Sequence, residues 1–266
     1  MGHFHTPIGA YARGPLQTIR PDTPLPAIHA LFEERGISAV PVVDPKAGPV
    51  GVVSRTDLLR VGTPRPRRGE QRPERAALVD FPEKKLAVDV MHEGVVSLRR
   101  EATVAVAAGR MVHDRIHRVF VTHEGHLDQV FGTREVMEAV WESRVATPIG
   151  LVMSRKPFTI PVTASLADAT ARLEQAHAQG LVVVDEERWP IGVFTQREAL
   201  LARDQDPTAS VEQGMSHALL CLHRTTPLYR AAAQAAVTRA RRVLVIDDKE
   251  AVGVVTGLDF ARLARG

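Results

Sequence analysis

Hydrophobic positions along the chain alternate between two rhythms. Stretches with apolar residues every three or four positions give way to short β-branched runs, the signatures of amphipathic helices and half-buried strands. The pattern occurs four times. Strand-like segments open the copies: TIRPDTPL from Thr18, SLRREATV from Ser97, TIPVTASL from Thr159 and CLHRTTPL from Cys221. Each is followed by a helical stretch and then a valine-rich run: AVPVVD, RVFVTH, LVVVDE and RVLVID. A second run then feeds a helix: GVVSRTDLL, QVFGTREVM, GVFTQREAL and GVVTGLDFA. A repeat of this kind is the first thing to establish in a sequence, because it fixes the architecture.

Each copy predicts strand, helix, strand, strand, helix, a βαββα unit of mixed α/β (α+β) class. In TPLPAIHALFEERG, Thr23 is the expected N-cap, Pro24 the first helical residue and Gly36 the terminator. Thr226 and Pro227 repeat the signal. Leu25, Ile28, Leu31 and Phe32 share one helical face. A unit of about 55 residues buries too little surface to stand alone, so the copies should pair. The first interval between copies exceeds the others because of a Pro- and charge-rich insert at 62–85, which predicts an extended, mobile loop.

Composition changes this picture little. The chain has 266 residues, 44% of them hydrophobic and 24% charged, with a net charge of +3. That small surplus does not predict a nucleic-acid binder. No apolar run reaches the roughly 18 residues of a membrane span. MGHFHTPIGAYARG lacks a signal-peptide core, and Cys221 is the only cysteine. These features point to a soluble protein of the reducing cytosol.

The repeat resembles the cystathionine β-synthase (CBS) domain. The resemblance rests on DVMHE and LVMSR, the variant QGMSH, the AVPVVD strand and the G-x-x-[ST]-x-x-D turn, over about residues 8 to 264. The first copy departs from it, with GAYARG where a methionine is expected. The resemblance implies a stand-alone protein with two tandem (Bateman) modules. The first would span 8–141, with repeats at about 8–61 and 87–141. The second would span 148–266, with repeats at about 148–203 and 210–266. It further implies a non-catalytic regulatory sensor, a homodimer formed through the modules, and an effector protein as partner.

The turn Ser54-x-x-Asp57 admits two readings. One is a capping box, in which the acidic side chain returns to the cap's own amide. The other is a ligand site, because a helix N-terminus suits a phosphate and a carboxylate suits a cis-diol. The resemblance implies AMP, ADP or ATP, with S-adenosylmethionine or a dinucleotide as alternatives. Asp57 and Asp259 would then hold the ribose, and Glu198 would do so more weakly. Ser54, Thr195 and Thr256 would lie near the phosphate. Repeats one and four fit the turn completely, whereas repeat two carries Gln129, Gly132 and Glu135 there. Ser38, His117, Gln179 and Arg241 align just before the second strand. His117 and Arg241, with Arg55, are the implied phosphate cations. Ile19, Ile37 and Val40, and Leu222, Ala240 and Val243, are the implied base walls.

Other chemistry is weakly supported. His113 and His117 are four apart, but the repeat puts one at a helix end and the other at a strand start, which disfavours a metal pair. His3 and His5 alone would not close a metal site. Cys221 aligns with Thr18, Ser97 and Thr159 and reads as a packing residue. No G-x-S-x-G elbow or lysine-bearing phosphate loop occurs. The remaining alternative is nucleic-acid binding through the Arg-rich 63–75 segment, with Arg65, Arg67, Arg68, Arg72 and Arg75 offset by Glu70 and Glu74. It lacks aromatic residues on which bases could stack.

Overall fold

The computed structural model describes residues 2–62, 79–155, 157–175, 180–248 and 250–266. Repeat one supplies α1 (Leu25–Arg35), β1 (Ala39–Asp44), β2 (Gly48–Ser54) and α2 (Arg55–Gly62). Repeat two supplies α3 (Ala87–Val90), β3 (His92–Glu93), β4 (Ser97–Arg99), α4 (Val104–Asp114), β5 (Arg118–His123), β6 (His126–Gly132) and α5 (Thr133–Glu142). Repeat three contributes β7 (Ser154–Arg155), β8 (Thr159–Pro161), α6 (Leu166–Gln175), β9 (Leu181–Val184), β10 (Pro190–Phe194) and α7 (Gln196–Leu201). Repeat four contributes β11 (Cys221–His223), α8 (Leu228–Thr238), β12 (Arg242–Asp247), β13 (Glu250–Thr256) and α9 (Gly257–Ala264).

The predicted order holds, with three local differences. Pro24 and Pro227, not the threonines before them, are the N-caps of α1 and α8. Thr23 Oγ1 instead accepts a bond from the Arg20 amide at 3.1 Å, closing the turn ahead of the helix. Gly36 ends α1 at φ 63°, as predicted, in the left-handed conformation that glycine adopts without strain. The first strand of repeat one shrinks to a single bridge, Ile19 beside Val42. Finally, the end of the insert is packed. Residues 63–78, with all five of its arginines, lie outside the described residues, but Val79 and Phe81 are buried in a core. These two apolar residues alternate along an extended stretch and pack back on the end of α2. The Asp80 amide donates to the Gly62 carbonyl at 2.7 Å.

All four sheets share one plan. A short parallel strand flanks an antiparallel hairpin, as in β4-β5-β6, β10-β9-β8 and β11-β12-β13. The outer edge of each hairpin is then covered by a leader segment from the neighbouring repeat. β3, the leader of repeat two, pairs with β2 of repeat one, and β7, the leader of repeat three, pairs with β13 of repeat four. Arg13 bridges Val130, and Ser216 bridges Val193, completing the exchange. Repeats one and two thus trade leaders, as do three and four.

The leaders carry the methionines singled out in the sequence, and their use is steric. A Cβ on Gly51 would meet Met91 Sδ at 2.7 Å, one on Gly192 would meet Met215 Sδ at 2.5 Å, and one on Gly253 would meet Met153 Sδ at 2.4 Å. Each glycine therefore makes room for a methionine from another repeat. Repeat two reverses the sizes. Gln129 stands at the glycine position, and Ala12 of the first leader stands where the others have methionine. The irregular first leader is the complement of the irregular second turn.

The chain forms two compact units. One comprises Met1–Leu16, Val96–Pro157 and Ala218–Gly266, and so contains repeats two and four. The other comprises Gln17–Val95 and Phe158–His217, and contains repeats one and three. In the two-four unit, α5 packs on α8 and α9, and α4 packs on α9, around Phe131, Met137, Val243 and Phe260. In the one-three unit α2 packs on α7 around Phe32, Leu58, Phe194 and Leu200. The tandem modules expected over 8–141 and 148–266 would each draw one repeat from each unit.

Candidate functional site

The four strand-to-helix turns are built alike. At Ser54 the backbone amide and the hydroxyl both donate to Asp57 Oδ2, at 2.8 and 2.6 Å. Thr256 does the same to Asp259 Oδ2, at 2.7 and 2.8 Å. The Thr195 amide donates to Glu198 Oε2 at 3.1 Å and its hydroxyl donates to the same oxygen. Gly132, with no hydroxyl, gives only its amide to Glu135 Oε2, at 2.9 Å. The carboxylate half of the capping box is therefore present in all four repeats. The hydroxyls expected near a phosphate donate instead to the carboxylates.

That cap engages only one oxygen of each carboxylate. What faces the second oxygen differs from repeat to repeat. Asp259 Oδ1 is held by Arg262 of the same helix. Glu135 Oε1 lies 3.7 Å from Arg13 Nε of the exchanged leader, and Arg13 is anchored to Glu138 at 2.7 Å. Glu198 Oε1 has Arg197 at 3.9 Å. Asp57 is only 2% exposed, and its Oδ1 is buried with no hydrogen-bond donor aligned on it. His92 Nε2 lies 2.9 Å from that oxygen and Arg60 lies 3.8 Å away. Burial pushes the Glu135 carboxyl up, with the Gly132 amide opposing it.

The implied phosphate cations occupy contrasting places. Arg55 is buried, with its guanidinium bonded to the Phe32 carbonyl at 3.0 Å and to Glu33 at 2.7 Å. Arg197 reaches the other oxygen of Glu33 at 3.2 Å. Burial pulls the Arg55 guanidinium down from its ordinary range, and Glu33 opposes this. His117 is pushed down to about 4, first by burial and then by the charges of Arg118, Arg242 and Arg241. At neutral pH it is a neutral imidazole beside three guanidinium groups, so the positive charge at this place belongs to the arginines. Close to it, α5 and α9 begin against each other. A Cβ on Gly257 would fall 2.4 Å from the Thr133 side chain, and the Thr133 amide donates to the His117 carbonyl at 3.0 Å.

Of the implied base walls, Ile19, Val40 and Val243 belong to the hydrophobic cores, whereas Ile37, Leu222 and Ala240 are partly exposed. His113 ends α4 and faces Asp114 at 2.6 Å, apart from His117 beyond the helix. Burial raises the Cys221 thiol. Among the described residues, no three His, Cys, Asp or Glu side chains gather as a metal site would require, and no helix is long and apolar enough to cross a membrane. The sequence reading missed His92 and Arg13. Both follow the methionine position of a leader, but only the exchange shows which carboxylate each one faces.

The sequence model of the CBS domain matches the chain four times, over residues 8–63, 87–142, 149–204 and 209–266. No protein of curated function matches it in sequence. A Methanocaldococcus jannaschii protein, MJ1225, proposed as an archaeal homolog of γ-AMPK, superposes with a TM-score of 0.79 at 16% identity, over 97% of this chain and 99% of its own. An uncharacterized conserved protein from Pyrococcus horikoshii gives 0.67 at 16%, over 97% and 100%. At such identity these likenesses show the fold alone. The CBS domain pair of protein MJ0100, solved with 5-methylthioadenosine and S-adenosyl-L-methionine, covers 44% of this chain and 95% of its own at 26% identity and a TM-score of 0.41.

Proposed function

From the chain's membership of the CBS-domain family, established by four matches in series, we propose that it is a non-catalytic regulatory sensor of adenosine-type ligands, with AMP, ADP and ATP as the first candidates. The observation that carries this reading is the division of labour within the carboxylates of repeats one and four. Oδ2 holds the helix cap, while Oδ1 points away from it, and at Asp57 it is buried without an aligned donor. Its charged neighbours are the exposed His92 at 2.9 Å and Arg60 at 3.8 Å, and a buried carboxylate oxygen gains from well-aligned donors. The two hydroxyls of a ribose are donors that could satisfy it.

In this reading Asp57 and Asp259 hold the ribose, and Glu198 offers a displaced and weaker version. Helix-start amides and the arginines around His117 draw the phosphate. Arg55, tied to Glu33, serves the fold. Partly exposed Ile37, Leu222 and Ala240 flank the base. Ligand in a cleft between paired repeats would bias their arrangement, and an effector protein or a second copy of the chain would respond to it.

Calorimetry with AMP and 2′-deoxy-AMP tests the ribose role. AMP should bind more tightly, and Asp57→Asn and Asp259→Asn should each weaken one site by roughly tenfold or more, the worth of a charge-assisted hydrogen bond. The double variant should be almost blind to AMP. If both aspartates serve only as caps, each substitution costs about 1 kcal/mol of stability and leaves affinity untouched.

A further inference from the structure

We propose that His92, carried into repeat one by the exchanged leader of repeat two, gates the Asp57 site and makes its occupancy depend on protonation. The inference rests on the ribose role proposed for Asp57. β3 holds the backbone of His92 beside Val52 in the sheet, and this places Nε2 2.9 Å from Asp57 Oδ1. The side chain of His92 is 67% exposed and that of Asp57 is 1% exposed. The gate is thus on the solvent side and can swing away, while the carboxylate is fixed by its cap. Arg60, at 3.8 Å, is the other charged group facing this oxygen. Opposite His92, β2 offers only Gly51, Val52 and Val53, and on its own strand Glu93 follows.

The equivalent leader positions show why this is a choice of residue and not a feature of the fold. Repeats three and four have Ser216 and Ser154 there, and repeat two has Arg13. A serine does not titrate. An arginine is always charged, and Arg13 is held by Glu138 as well as Glu135. Only a histidine changes charge between about pH 5 and 8. As an imidazolium it pairs with Asp57 Oδ1, the oxygen that a diol needs. As a neutral ring it yields that oxygen more easily.

The test uses adenosine, which has no phosphate to titrate, on the full chain carrying Asp259→Asn so that repeat one dominates binding. Affinity should fall about three- to tenfold as pH is lowered from about 8 to 5.5, in line with the onset of competition from an ion pair with one exposed member. Adding His92→Gln should abolish that dependence and raise affinity at the acid end. Equal or tighter binding at low pH, or a slope that survives His92→Gln, overturns the gate while leaving the ribose role standing. The ribose reading fails differently. Then Asp57→Asn binds adenosine as its parent does at every pH, and the gate falls with it.

Discussion

The two compact units apply one fold to charge in opposite ways. In the one-three unit, the first residue of α2 is Arg55, which is buried and bound to Glu33, and Arg197 completes the cluster from repeat three. In the two-four unit the same helix position holds Thr133 and Gly257, which touch, and arginines stand instead at the start of the preceding hairpins, where Arg118, Arg241 and Arg242 act on His117. In the first, cation and anion cancel and join two repeats. In the second, burial first and the neighbouring arginines after it keep a histidine neutral. Equivalent positions in a repeat therefore share geometry without sharing chemistry.

The largest effect should come from breaking the neutralised cluster. Arg55→Ala leaves Glu33 with half its partners and the Phe32 carbonyl without its donor. It should cost about 3 kcal/mol, as removal of one partner from a buried ion pair does. Thr133→Ala, at the same helix position in the other unit, should cost well under about 1 kcal/mol. Denaturant unfolding of both variants decides the matter, and equal costs would end the contrast between the units.

Next comes acid. A histidine whose folded pKa lies at about 4 takes up a proton more readily when unfolded. The stability tied to neutral His117 is therefore complete above about pH 6.5 and is lost as pH falls toward 4, to the extent of about 2 kcal/mol. His117→Gln should flatten that part of the profile. Arg241→Ala should soften it, since one of the charges opposing protonation is gone. Unfolding midpoints measured across this range give the answer, and an unchanged slope in His117→Gln would remove the histidine from the account.

The smallest effect tests the size reversal at the leaders. Ala12→Met should crowd Gln129, and Gln129→Gly should open a hole, each costing about 1 kcal/mol or more. Combined, they recreate the methionine-on-glycine contact of the other three repeats, and the pair should recover about 1 kcal/mol relative to the sum of the singles. A double-mutant cycle showing strict additivity would mean that the two sizes are unrelated.

Much of this was legible in the sequence. Four valine-rich runs and the four second runs that feed a helix marked the repeat, and the spacing from Ser54 to Asp57 located the carboxylate that the structure finds capped. Partnership was not legible. Helical periodicity says that Leu58 and Phe260 are buried, but not that α2 meets α7 or that α9 meets α4 and α5. Arg55 was implied as a phosphate cation, and nothing in the sequence pairs it with Glu33, a hairpin away in the chain. His92 could not be matched to Asp57, because a leader of two strand residues carries no signal of whose sheet it will join. Val79 and Phe81 were read with the charged insert that precedes them, although their alternation is that of a buried extended segment.

The traded leaders also impose a timetable on synthesis. A chain emerging from the ribosome makes the hairpin of repeat one well before it makes Met91 and His92, so that sheet waits with a bare edge, a surface open to wrong pairing. The one-three unit has all of its segments once His217 has emerged, whereas the two-four unit also needs Ala218–Gly266. Connectivity thus orders the completion of the two units, and the first leader, Met1–Leu16, is made before the β6 edge that it will cover.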